Sequence, residues 1–170
     1  MSVGCMNQQE PNAPIGSIDW TERTGGVLTV RERISLVQPL LRSQRGIIVG
    51  RLAMATRTHS GRRTSVDPNA LVRRDSLLAI EAEAAAQDLL TPALLNHSRR
   101  AYSWGASIAA LDEVEFDREL LYVAAMFHDT GLPSPVPDVD FTVRSARLAR
   151  DFTDLHGVED VRRELVANAM

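Results

Sequence analysis

Glu119-Leu120-Leu121-Tyr122-Val123-Ala124-Ala125-Met126-Phe127-His128-Asp129-Thr130-Gly131-Leu132-Pro133 is the stretch whose reading decides the fold. Leu120, Leu121, Ala124 and Phe127 recur at the three-to-four spacing of a helix with a buried face. His128 follows Ala124 by four residues and Leu121 by seven, so it lies on or beside that face, and Asp129 follows Ala125 by four. Gly131 and Pro133 then supply a helix stop. Two titratable side chains thus arrive together at the inner end of an apolar helix. A carboxylate buried there is costly unless a cation or a donor compensates it. A metal ion would do so; a satisfied histidine beside a solvated aspartate is the plainer alternative.

Outward from this stretch, 170 residues suffice for one domain with a real core. The apolar residues are mostly Ala, Leu and Val with 5% aromatics, a mix that favours helix over sheet. All 19 basic residues are Arg. Residues 1–72 hold nine Arg against five acids, +4, and residues 73–170 hold ten against seventeen, −7, which sums to the net −3. The acidic C-terminal part argues against a nucleic-acid partner. Cys5 is the single cysteine, compatible with a reducing compartment. No apolar run approaches the length of a membrane span, and the N-terminus lacks a signal-peptide pattern. The expectation is a cytoplasmic protein with no membrane partner.

Residues 1–66 read as an N-terminal extension and 67–170 as a helical domain. Residues 1–26 are rich in Gly, Pro, Asn, Gln and Ser and are expected to be without regular structure. Val27–Ala55 allows two readings: short strands at 27–30 and 46–50, or helix interrupted by Pro39. Residues 56–66 read as a basic linker, with His59 an exposed bystander. Asp67-Pro68 opens a helical stretch through Leu71, Leu77, Leu78, Ile80, Ala84, Leu89 and Leu90, and Thr91-Pro92 restarts helix by the same device. The next inward stripe is Leu94, His97, Ala101, Trp104 and Ile108. An acidic linker, 111–117, leads into the helix ending at His128. Asp140 caps a further helix through Phe141, Ser145, Leu148, Phe152 and Leu155, stopped by Gly157. A last helix carries Val161, Leu165 and Ala169.

Antiparallel helices joined by that linker can bring His97 against His128 and Asp129. Two imidazoles and a carboxylate suit Zn, Fe or Mn. A lone histidine on an apolar face is more often a satisfied core residue, but two converging on an adjacent aspartate favour a metal. Such an ion lowers the pKa of a bound water.

Leu94-Leu95-Asn96-His97-Ser98-Arg99-Arg100-Ala101-Tyr102-Ser103-Trp104-Gly105, with Leu120 to Leu132, resembles the HD-domain superfamily of metal-dependent hydrolases. It is more closely similar to the branch that includes cyanamide hydratase, with its Asn-His-Ser-x-Arg-x-Tyr and Phe-His-Asp-x-Gly segments. The resemblance spans roughly residues 70 to 170. It implies an all-α, HD-domain-like helical bundle in which His97, His128 and Asp129 hold a divalent metal ion. Asp129 would also be catalytic, one oxygen on the metal and the other orienting water. The family adds a later Asp as a ligand; Asp151, Asp154 and Asp160 come too early to match it, and Asp138 and Asp140 lie in a turn. The expectation is therefore a C-terminally incomplete HD bundle, either a fragment, a chain completed by a partner copy in a homo-oligomer, or an impaired enzyme.

The function implied is a phosphohydrolase-like hydrolase, with metal-activated water attacking a small polar substrate. One alternative is a cyanamide hydratase-like lyase acting on a nitrile-type carbon, and another is a non-catalytic helical module. Arg99 is the candidate for binding substrate phosphate, and Arg100 reads as surface. Tyr102 and Trp104 line a pocket or belong to the core. His156, at a helix C-terminus, reads as structural.

Overall fold

The computed structural model describes residues 13–58, 65–137 and 139–170. They fall into two units: residues up to Gly26 together with Pro68–Met170, and Val27–Asp67. The secondary structure of the described residues is helical, apart from an isolated bridge between Val136 and Val139. The all-α expectation is met. No described helix is long and apolar enough to cross a membrane.

The second unit is built on α2 (Val30–Ala55). Its start is a capping box, in which Thr29 Oγ1 accepts from Glu32 N and Glu32 Oε2 accepts from Thr29 N. The stretch left open between strand and helix is therefore helix, and it continues through Pro39. His59 lies outside the described residues.

In the first unit, α1 (Ile18–Thr24) begins at the Ser17 cap and ends at Gly25, whose φ of 62° is the left-handed cap conformation that glycine adopts without strain. Residues 1–26 were expected to lack regular structure, and Ile18–Thr24 corrects this. Ile18 and Trp20 are buried, and Ile18 joins Val143, Ala146 and Ala167 in a small apolar cluster. Seven residues are too few for periodicity to reveal a helix.

Asp67-Pro68 opens only one 3₁₀ turn, Pro68–Leu71; α3 (Leu77–Leu89) has its own cap, Ser76. Next come α4 (Pro92–Leu111, capped by Thr91), α5 (Arg118–Phe127, capped by Asp117), α6 (Phe141–Leu155, capped by Asp140) and α7 (Asp160–Ala167). Helix α5 is the centre. Seven of its ten residues are buried and it packs against α3, α4, α6 and α7. A helix apolar nearly all round is one that neighbours enclose.

Helix α3 buries only alanines, while α4 buries a mixture of small and large residues. On α3 the buried positions are Ala79, Ala82 and Ala86; on α4, Leu95, Ser98, Tyr102 and Ala106. The stripe expected on α4 is thus rotated by about one residue: Trp104 is 67% exposed and Ile108 56%. The same rotation appears on α7, where Val166 and Ala167 are buried and Val161 and Leu165 exposed. Close helix approach is the reason. A Cβ added to Gly105 would lie 3.5 Å from Leu121 Cδ2, and the Tyr102 and Tyr122 rings meet edge to face at 5.0 Å. Larger side chains at these positions would push the helices apart.

A polar brace ties α3, α4 and α5 together. Glu83 accepts from Arg99 (Nε 2.9 Å, Nη2 2.6 Å) and from Tyr122 Oη (2.7 Å), and the Arg73 guanidinium stands 5.5 Å from the Tyr122 ring centroid. Burial opposes ionisation of Glu83, but the hydrogen bonds from Tyr122 and Arg99 outweigh it and hold the carboxyl below its ordinary value. Tyr122 is pushed up, first by burial and then by Glu83.

The turn after α5 is pinned from two sides. Thr130 Oγ1 donates to Phe127 O at 2.7 Å, and the buried Ser145 Oγ accepts from Gly131 N at 2.9 Å. A Cβ on Gly131 would stand 2.1 Å from Phe141 O. Gly131 is there because α6 arrives in contact with its backbone.

Two outcomes follow from this packing. Gly131→Ala is expected to cost about 1–3 kcal/mol, since the α6 backbone must move; an unchanged urea midpoint would contradict the close approach. Because the folded-state pKa of Glu83 is lowered, its ionised form stabilises the fold above the ordinary value of 4.5, and that contribution disappears as pH falls through the folded value. Glu83→Gln should therefore lose about 1–3 kcal/mol at neutral pH, with the gap to the parent narrowing in acid. Parallel stability curves down to the acid transition would contradict the assignment.

Candidate metal centre

Helix α5 ends at Phe127, and His128 is its C-cap, with its backbone N donating to Ala124 O at 3.0 Å. The chain leaves the core here, so this is where polar side chains can be placed at the end of an otherwise apolar helix. Leu132 N donates to Asp129 O at 3.0 Å, closing the turn that fixes the Asp129 backbone. Antiparallel to α5, α4 brings His97 to the same end.

The three residues converge. His97, His128 and Asp129 each offer a ligand atom within 4.8 Å of the others. Asp129 Oδ2 lies 3.2 Å from His128 Nε2 and 3.6 Å from His97 Nε2, and the imidazole centroids are 5.2 Å apart. These separations are longer than the ~2.7–2.9 Å of a charge-assisted hydrogen bond. They bracket the ~3.3 Å edge of a tetrahedron with metal–ligand bonds of about 2.0–2.1 Å. The donor spacing suits a shared cation better than a direct contact.

The tautomer agrees. His128 Nδ1 lies 2.8 Å from Ala125 O. A carbonyl only accepts, so Nδ1 donates and Nε2 keeps its lone pair towards Asp129. Metal-binding histidines are oriented by this kind of backbone bond on the other ring nitrogen. A divalent ion therefore fits these residues.

Burial is graded across the cluster. The Asp129 side chain is 15% exposed, His128 25% and His97 52%. The acidic end is sheltered and the His97 end opens to solvent. His97 was expected on the inward face of α4; it stands at the margin of that face, where access from solution is possible.

The other sequence candidates sit elsewhere. Arg99 is engaged with Glu83, with Nη1 3.4 Å from Asn96 Oδ1, and is not brought to the His–Asp cluster. Tyr102 is core, and Trp104 is exposed. Asp140 caps α6 and Asp154 pairs with Arg163. Among the described residues no fourth His, Cys, Asp or Glu joins the cluster; Asp138 lies outside them. His156 is held in the packing, Nδ1 donating to Phe152 O at 2.6 Å and Nε2 pairing with Glu81. The bracing roles missed in the sequence are those of Glu83 and Tyr122, partners 39 residues apart whose contact leaves no local signal.

No curated protein and no solved structure matches the chain. Residues 94–170, which contain His97, His128 and Asp129, match the family model described as the HD domain.

Proposed function

We propose that this chain is an HD-type metal-dependent hydrolase of the phosphohydrolase kind, acting on a small polar substrate. The observation that carries the reading is the convergence of His97, His128 and Asp129 with His128 Nδ1 committed to a backbone carbonyl. The HD-domain match over the same residues supports it.

In this reading His97, His128 and Asp129 would hold a divalent ion, Zn, Fe or Mn. A bound ion of this kind lowers the pKa of a coordinated water towards neutrality and so supplies a nucleophile. Asp129 turns Oδ2 to both histidines, which leaves Oδ1 to accept a hydrogen bond from the attacking water and orient it. The Ala125 carbonyl keeps His128 from rotating out of place. The half-exposed His97 side marks the direction of substrate entry. Arg99 is an unfavourable phosphate ligand here, because releasing it would remove two of the hydrogen bonds that Glu83 accepts.

Two rivals use the same experiment. A hydratase would add the same nucleophile to a nitrile-type carbon. A non-catalytic helical module draws on the exposed apolar side chains of Trp104, Leu155 and Leu165.

Elemental analysis of the purified chain is expected to find near-stoichiometric divalent metal, lost in the His128→Ala, Asp129→Ala double variant while helical circular dichroism persists. Hydrolysis of nitrophenyl phosphate should fall about 100-fold or more in that variant. Turnover of cyanamide without phosphoester hydrolysis would move the reaction to hydration. Equal metal in parent and variant would reject the site. Metal without turnover of either substrate would favour the non-catalytic module.

A further inference from the structure

A surface cleft of about 560 Å³ opens at the start of α5. Its walls come from the Pro68–Leu71 turn, the segment after it and the residues that lead into α5. Helix α5 is ten residues long, so the cleft and His128 stand at opposite ends of about 15 Å of helix.

Three guanidinium groups line the cleft, those of Arg73, Arg74 and Arg118, against one carboxylate, Asp117, a net +2. That carboxylate is already engaged. Its Oδ1 accepts from Glu119 N and Leu120 N, and its Oδ2 accepts from Arg162 Nη2 at 2.8 Å. Half-buried Arg118 donates to Asn69 O at 3.2 Å, a neutral acceptor. Arg73 Nη1 donates to Arg74 O at 3.3 Å, and its guanidinium stands 3.7 Å from Asp75 and 3.8 Å from Glu83, beyond hydrogen-bond distance. Arg74 is exposed and enters no ion pair among the described residues. Like charges gathered around one cleft repel one another until an anion joins them.

A second observation points to the same place. Tyr102 Oη is buried and has no hydrogen-bond partner among the described residues. Burial raises the Tyr102 hydroxyl above its ordinary value, and the guanidinium groups of Arg118 and Arg73 oppose that rise. A donor still lacking its acceptor therefore lies within electrostatic reach of the same two arginines. Such a group is costly where it stays unpaired.

The lining selects the chemistry of a ligand. A guanidinium presents a planar fork of donors that matches a phosphate, and a phosphate monoester carries close to two negative charges at neutral pH. A monocarboxylate brings one. Val72 and Phe116 supply apolar wall for an organic body, and the volume falls within the ~300–1,000 Å³ of small-molecule sites. We propose that this cleft binds a phosphate-bearing small organic molecule through Arg73, Arg74 and Arg118, at a site separate from the metal centre.

The test is calorimetric titration of the full chain with phenylphosphonate, which has no phosphoester bond to hydrolyse, beside benzoate as the monocarboxylate. The expected result is a saturable phenylphosphonate site, about tenfold or more tighter than for benzoate and weakened in about 0.5 M NaCl. Arg74→Gln with Arg118→Gln should weaken it about tenfold or more. The His128→Ala, Asp129→Ala variant should keep it, so that failure of the metal reading and failure of this one are told apart. Should the arginine double variant lose helical circular dichroism, the exposed Arg74→Gln change alone replaces it, with a loss of about threefold expected. No saturable binding to the unaltered chain, or equal affinity for benzoate, overturns the proposal. So does binding that survives the arginine changes and disappears with His128 and Asp129, which places the anion at the metal centre.

Discussion

The enclosure of α5 is the constraint on which the rest depends. Val123, Met126 and Phe127 are fully buried, and neighbours cover the helix from four directions. Burying each large apolar side chain is worth about 1.5–3 kcal/mol, so the helix has no freedom to rotate or slide. That rigidity is passed to its end. His128 and Asp129 sit where the last turn stops, and α6 presses on Gly131 immediately beyond. Ligand spacing must be held to a few tenths of an ångström, and an immobile helix end closed by a contact that admits only glycine provides it.

Polar bonding divides between two jobs that do not overlap. Glu83, Arg99 and Tyr122 form a brace between helices, and their charges and hydrogen bonds are used within it. His97, His128 and Asp129 form the second group, brought together at the end of α5. Helix geometry separates them. His97 and Arg99 are two positions apart on α4, about 200° around the axis, so one meets the end of α5 while the other meets α3. Neighbours in sequence are thus given to different tasks.

The Phe127-His128-Asp129 segment was legible because polar residues closing an apolar helix are costly and therefore conspicuous, whereas Asn96-His97-Ser98, whose histidine is half exposed, was legible through its resemblance to a family motif. The helix starts at Thr91 and Asp140 were legible because such caps act locally, each bonding the backbone of the next turn; Ser76 and Asp117, which cap α3 and α5 in the same way, were not read from the sequence. The facing of each helix was harder to read. Large apolar residues at 104, 108, 161 and 165 suggested one face, whereas Leu95, Ser98, Tyr102 and Ala106 on α4 and Val166 and Ala167 on α7 are the ones buried. The shift follows from which side chains find a partner on the neighbouring helix, as Tyr102 does in the edge-to-face contact with Tyr122, and not from apolar size alone.

By itself the sequence determined the helical class, most of the boundaries from Thr91 onward and the three residues that meet at the candidate metal centre, because propensity, capping and the expense of buried polar groups are properties of short stretches. Only the tertiary structure decided which face each helix buries, that Arg99 belongs to Glu83 and that Ile18 and Trp20 anchor a helix on α6. Those outcomes depend on how closely two distant backbones can approach. That distance is set by pairs such as Gly131 with Phe141, whose members are remote in sequence and meet only after the chain has folded.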